Sequence, residues 1–329
     1  MMEKKDLLIT PSLYTLFLYT LINEDWTKSD FVLSTRIPMV IHQRLRSIFG
    51  VDVYTIESPK KNSNKIQKVF FENSEMRKYY NYSADFKYQR VWGNDEFYPA
   101  MKYRKQGIRL IEDGPFNGES RLFFKKRRLK QETKFLLFWT KYIFSHYLAY
   151  GYDSKVTVIY HTSGIRLNKE LEPKGKIVDM KALWSEMNEQ RRRNILNLFG
   201  IDSDFVNRLN EFSTVLVTQI LPIPDDDKIA IYNDMVKGIE MNKLLIKTHY
   251  AETTNYSSIY PESTVISTPV PMQLFDLLGF SPTKILTISS SAIQPFVKDG
   301  VDVTFLGTGC DKRIQDVYGV VKLENIIKK

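Results

Sequence analysis

Leu7-Leu8-Ile9-Thr10-Pro11-Ser12-Leu13 stands near the start of the chain, and its reading decides the fold. Lys4 and Lys5 ahead of an apolar stretch that reaches Ile22 imitate a secretory signal. Asp6 and Pro11 interrupt that pattern, however, and no small-residue cleavage site follows. A short apolar run, a proline turn and a hydroxyl before renewed apolar residues spell a strand, a turn and a helix start instead.

Runs of the same kind recur. Phe31 to Ser34, Val51 to Ile56, Val69 to Phe71, Ile108 to Ile111 and Val156 to Tyr160 alternate with helical patterns, including one around Glu132 to Tyr150. Together with Leu7 to Thr10 they predict one doubly wound sheet of six strands. Asn168 to Ile201 loses the strand rhythm and carries a polar helix over Lys181 to Leu198. From Thr214 the rhythm restarts with Val215 to Gln219, Lys243 to Lys247, Thr264 to Ser267, Lys284 to Ile288 and Val301 to Phe305. The prediction is an α/β protein with two Rossmann-like domains. Residues 1–165 form the first, 166–210 a connecting helical segment and 211–329 the second. A length of 329 residues suits two domains. Ligands of open parallel sheets sit beyond the carboxyl ends of the strands, which predicts a cleft between two such domains.

The totals exclude several classes. A single cysteine, Cys310, allows no intrachain disulfide and no thiolate zinc site, which fits a reducing compartment. The four histidines lack metal-ligand spacing. No apolar run approaches a membrane span, and neither a P-loop nor a nucleophile elbow occurs. A net charge of +9 calls for an anionic partner. Much of it lies in Lys125, Lys126, Arg127, Arg128 and Lys130, ahead of the aromatic-rich stretch Phe135 to Tyr147. That arrangement suits either an ordinary core helix with a solvated basic entrance or an interfacial helix touching an anionic membrane. No nucleic-acid-binding motif accompanies the charge.

Three constellations fall just after strands. Ile111-Glu112-Asp113-Gly114 delivers two adjacent carboxylates into a glycine turn; adjacent strand residues face opposite ways, so only one can face a substrate as a general base. Lys247-Thr248-His249 offers a cation, a hydroxyl and an imidazole that could donate to a phosphate oxygen. Ser289-Ser290-Ser291-Ala292 places hydroxyls before an expected helix, as a phosphate site or as a plain N-cap. Asp225-Asp226-Asp227 reads as the first turn of a helix, not as a metal motif. Each constellation taken singly also has an ordinary structural reading.

Their order is more specific. Glu112-Asp113-Gly114, a strand ending in Thr218-Gln219, then Lys247-Thr248-His249, Val270-Pro271 and Ser289-Ser290-Ser291 resembles the bacterial lipooligosaccharide and capsule sialyltransferases of glycosyltransferase family 52. The opening through Ser12 is similar to that family's start. The resemblance implies a GT-B fold with a donor, CMP-sialic acid, bound mainly by the second domain, no cofactor and no metal. It implies Asp113 as the general base, with Glu112 the alternative, and His249 and the serines on the donor phosphate. It likewise places Ser12, Thr218, Gln219, Lys247 and Pro271 among the substrate-binding residues.

Tyr250 stands where the family usually has proline after the histidine, and Pro271-Met272-Gln273 replaces its usual Pro-x-Glu. The second change leaves open a hexosyltransferase using a UDP-sugar. The partners expected are a nucleotide-sugar donor, a glycan acceptor ending in galactose on a bacterial surface glycan, and an anionic membrane touched peripherally from the cytoplasm. Nucleic acid is not expected, and a homodimer is left open. A non-catalytic basic α/β binding protein is the rival of a different class.

Overall fold

The computed structural model describes residues 5–59, 63–83, 86–113, 150–164, 166–297 and 300–324. The chain divides into two compact units, Met1–Arg192 and Arg193–Lys329, each built on one sheet.

The first sheet has seven strands: β1 (Leu7–Thr10), β2 (Asp30–Ser34), β3 (Val53–Ile56), β4 (Val91–Gly93), β5 (Ile108–Ile111), β6 (Val156–Thr162) and β7 (Gly175–Val178). They are parallel throughout and ordered β3-β2-β1-β4-β5-β6-β7. All four residues of β1 are buried, as expected of a strand flanked on both sides and covered on both faces. The helix Leu13–Ile22 that follows it is apolar almost all round and buries seven residues in succession, Thr15 to Leu21.

Several expectations are corrected here. Val69 to Phe71 lies inside the helix Lys65–Tyr82, which a reciprocal capping box between Asn64 and Gln67 starts; Phe70 is 63% exposed. The strand expected there is β4, whose three residues end on a glycine and so imitate a turn. Gly93 has φ +123°, and a Cβ on it would stand 1.9 Å from the Ile9 carbonyl oxygen, so β4 can pair with β1 only with glycine there. Lastly, the segment after Asn168 contains β7, an edge strand with only Val178 buried, which therefore lacks an apolar signature.

The expected helix Lys181 to Leu198 is two helices, Met180–Glu186 and Glu189–Phe199. Met187 is extended, and Asn188 accepts the Arg191 N–H at 2.8 Å to restart the helix. The helical pattern expected around Glu132 to Tyr150 lies almost wholly outside the described residues.

The second sheet matches expectation strand for strand. β8 (Thr214–Val217), β9 (Leu244–Lys247), β10 (Thr264–Ile266), β11 (Lys284–Thr287) and β12 (Asp302–Phe305) are parallel in the order β10-β9-β8-β11-β12. Its core packs Leu216, Leu244, Ile246 and Leu286 against Tyr232 and Tyr256. No helix among the described residues is long and apolar enough to cross a membrane.

Candidate active site

In each sheet the chain runs outward from one strand and then returns to that strand's other side. This switch falls between β1 and β4 in the first unit and between β8 and β11 in the second. Loops diverge at such points and leave room for a ligand beyond the carboxyl ends. Of the residues singled out in the sequence, Ser12, Glu112 and Asp113 lie beside the first of these places and Thr218, Gln219, His249 and Ser289 beside the second.

In the first unit a polar bracket ties the strand ends together. Asn94, just past β4, accepts from the Thr10 hydroxyl and donates to the Ile111 carbonyl at 3.1 Å and to Thr15 Oγ1 at 3.3 Å. The Thr15 hydroxyl in turn donates to the Glu112 carbonyl at 3.0 Å. Glu112 is fully buried: its Oε1 accepts from the Tyr14 hydroxyl at 2.8 Å and the Thr162 hydroxyl at 2.7 Å, and its Oε2 from the Thr162 N–H at 3.0 Å. Burial pushes its pKa up against those bonds. These contacts commit Glu112 to joining β5, β6 and the first helix.

Asp113 differs in exposure and in partners. It is exposed, and protein shielding of its carboxylate raises its pKa, opposed by a hydrogen bond from Ser12 and by the charge of Arg36. Ser12 does two jobs, since its Oγ also accepts from the Thr15 N–H at 3.3 Å and caps the helix Leu13–Ile22. The sequence reading missed Asp95 and Glu96 beyond β4. Asp95 is wholly buried and accepts the N–H groups of Tyr150 and Gly151 at 2.7 and 2.9 Å. Burial, with the charges of Asp95 and Asp113, lifts Glu96 well above the ordinary carboxylate range. A buried strand end followed by two acids was the available signal, hidden because β4 itself was not recognised.

In the second unit Gln219 and Ser289 bridge the switch point. Gln219 Nε2 donates to Ser289 Oγ at 2.7 Å, and the Ser289 N–H donates to Gln219 Oε1 at 3.1 Å. Ser290 caps the following turn by accepting from the Ala292 N–H at 3.3 Å, and Ser291 is exposed. That turn, Ser291–Phe296, is a 3-10 helix of six residues in place of the expected α-helix. Pro271 starts the short helix Met272–Leu277.

Thr218 and His249 meet through Glu252, another residue the sequence reading missed. The Glu252 carboxylate accepts from the Thr218 hydroxyl and, at 3.1 Å, from the His249 N–H. His249 Nδ1 accepts from the Ala251 N–H at 3.2 Å, so the neutral ring carries its hydrogen on Nε2. Burial lowers the His249 pKa, Lys247 adds to that, and Glu252 opposes it. The ring stacks on Tyr250 with centroids 4.4 Å apart, so an aromatic face supports it where proline was expected. Lys247 is 6% exposed and donates to the Thr248 carbonyl at 2.7 Å; burial lowers its pKa to about 8.

Asp225, Asp226 and Asp227 occupy the first turn of the helix Asp225–Met235, where Asp225 pairs with Lys228 and Asp227 with Arg313. Among the described residues no cluster of acids, histidines or cysteine could hold a metal ion.

Two parallel Rossmann-like sheets in one chain, each with a polar switch point, are the elements of a GT-B fold. The fold is shared with the GT-B domain of the sialyltransferase of Photobacterium damselae, at a TM-score of 0.51, 12% identity, and coverage of 92% of this chain and 90% of that one. It is shared also with the 2,6-sialyltransferase of Photobacterium sp. JT-ISH-224, solved with CMP and lactose. There the TM-score is 0.53, the identity 11% and the coverage 92% and 71%. The chain itself belongs to glycosyltransferase family 52, whose family model matches residues 61–308. An uncharacterized protein of Haemophilus influenzae is 27% identical over 239 residues, 71% of this chain and 73% of that one.

Proposed function

We propose that this glycosyltransferase moves sialic acid from CMP-sialic acid to a terminal sugar hydroxyl, galactose of a bacterial surface glycan, with inversion at the anomeric carbon. The observation that carries the proposal is the contrast between Glu112 and Asp113. One carboxylate is buried among three donors; its neighbour is accessible, held by Ser12, and made more basic by shielding. That is the state a general base requires.

Asp113 takes the proton of the acceptor hydroxyl as its oxygen bonds to the anomeric carbon. The bond from that carbon to the phosphate oxygen of CMP breaks, and negative charge grows on the leaving phosphate. In the second unit, His249 donates its Nε2–H to that phosphate as a neutral imidazole, and Ser289, Ser290 and Ser291 offer further donors. No step calls for a divalent metal. The two Photobacterium sialyltransferases of the same fold, one holding CMP and lactose, support the choice of donor and acceptor classes.

Pro271-Met272-Gln273 favours a second reading, hexosyl transfer from a UDP-sugar, because it lacks a carboxylate near the donor. A donor panel in excess EDTA separates the two. Acceptor-dependent release of CMP from CMP-sialic acid is expected; release of UDP alone would replace the sialyl reading, and an absolute magnesium or manganese requirement would remove the metal-free mechanism.

A further inference from the structure

The second unit buries an ion pair beside its candidate phosphate site. Lys228 and Glu252 have side chains 6% and 2% exposed, and their Nζ and Oε1 lie 3.2 Å apart. Taking two charges out of water is expensive, and well-packed apolar residues usually do as well for stability. The pair is therefore informative for what it fastens. Glu252 Oε2 accepts from Thr218, just past β8, and from the backbone N–H of His249, just past β9. Its Oε1 accepts from the Tyr256 hydroxyl at 3.0 Å and from Lys228. Lys228 is itself held by Asp225 at 2.9 Å and by the Thr254 hydroxyl at 2.8 Å. One carboxylate thus joins two strand ends, the helix Asp225–Met235 and the helix Tyr256–Ile259.

The turn from His249 to Glu252 is closed from both ends. The Glu252 N–H donates to the His249 carbonyl at 2.9 Å, and the Glu252 carboxylate receives the His249 N–H. Inside this closed turn the Ala251 N–H reaches His249 Nδ1. Among the described residues Nε2 has no partner.

We propose that Glu252, charge-balanced by Lys228, is a positioning residue. It clamps the 249–252 turn to Thr218, just past β8, so that Ala251 holds the imidazole ring in its Nε2–H form with that hydrogen directed away from the turn. This rests on the reading of His249 as the phosphate-facing group. Glu252 touches no reacting atom; it acts through the ring.

The test is Glu252→Gln in the full chain. A Gln amide opposes its NH2 to two donors on whichever side it takes, so the clamp opens while size and shape persist. Long-range 15N NMR reads the His249 tautomer, its signals identified by their loss in His249→Gln. The wild type should show one Nε2–H tautomer, and Glu252→Gln a mixture, with CMP affinity lower by about tenfold, the scale of one charged hydrogen bond. A single unchanged Nε2–H tautomer in folded Glu252→Gln overturns the proposal. If that variant does not fold, Thr218→Val, which removes one anchor of the clamp, is judged by the same criterion. Failure of wild-type protein to bind CMP would instead count against the donor reading, and the tautomer comparison would still decide the role of Glu252.

Discussion

Gln219 and Ser289 exchange two hydrogen bonds across the point where the second sheet reverses its winding, so a residue just past β8 fixes the first serine after β11. Neither side chain makes its own orientation. The Ser289 hydroxyl accepts from Gln219, which leaves its hydrogen free to be donated to an anion.

Gln219→Ala removes both bonds and frees the serine loop. Each neutral hydrogen bond of this kind contributes about 1 kcal/mol, so stability should fall by roughly 1 to 2 kcal/mol. CMP affinity should fall by about tenfold with it, because the serine donors lose their aim. Denaturant melts and calorimetric titration with CMP check the two effects. Weaker CMP binding in Ser289→Ala with none in Gln219→Ala would show that the serine needs no such support.

Glu112→Gln tests the assignment of the buried carboxylate as scaffold. Three donors converge on Glu112, and an amide nitrogen must oppose at least one of them, leaving a buried donor unsatisfied at a cost of about 1 to 3 kcal/mol. Lost activity should therefore come with a lower melting temperature. A variant with wild-type stability and abolished transfer would move the base from Asp113 to Glu112.

Much of this was legible in the sequence, and the failures share a cause. Buried parallel strands such as Leu244–Lys247 are continuous apolar runs, and their C-terminal polar residues could be picked out by position alone. β4 and β7 were not legible, because one ends on a glycine needed for a close approach to Ile9 and the other buries a single residue. Glu252 and Asp95 escaped for a different reason. Their roles come from hydrogen bonds made to residues distant in sequence, 34 positions away for Thr218 and 55 for Tyr150. Helical or strand periodicity carries no trace of such contacts.

The basic segment lies outside the described residues, yet its expected membrane role can be measured directly. Near an anionic surface each basic residue contributes roughly 1 kcal/mol. Replacing Lys125, Lys126, Arg127 and Arg128 by Gln should release the protein from phosphatidylserine-containing vesicles at low salt while CMP binding persists. Unchanged co-sedimentation would return the segment to a core helix with a solvated entrance.

Asp113→Asn keeps the shape of the carboxylate and removes its basicity, so transfer should fall by about 100-fold or more while CMP binding survives, the scale typical of general-base assistance. Stability should move the other way. A carboxylate whose pKa is raised in the folded state binds its proton more tightly there than in the unfolded chain, so its ionisation opposes folding above that pKa and is relieved as pH falls through it. At neutral pH Asp113→Asn should therefore melt no lower than the wild type, in contrast to Glu112→Gln. The same shift sets the acid limb of kcat/KM above the pH of an ordinary aspartate, since activity disappears as the base is protonated. Ser12 lowers that pKa by donating to the carboxylate, so Ser12→Ala should move the acid limb to higher pH. That variant also loses a helix cap, worth about 1 kcal/mol, which a melt measures separately. An acid limb that stays in place in Ser12→Ala, together with near-normal transfer by Asp113→Asn, would end the assignment of Asp113 as the base.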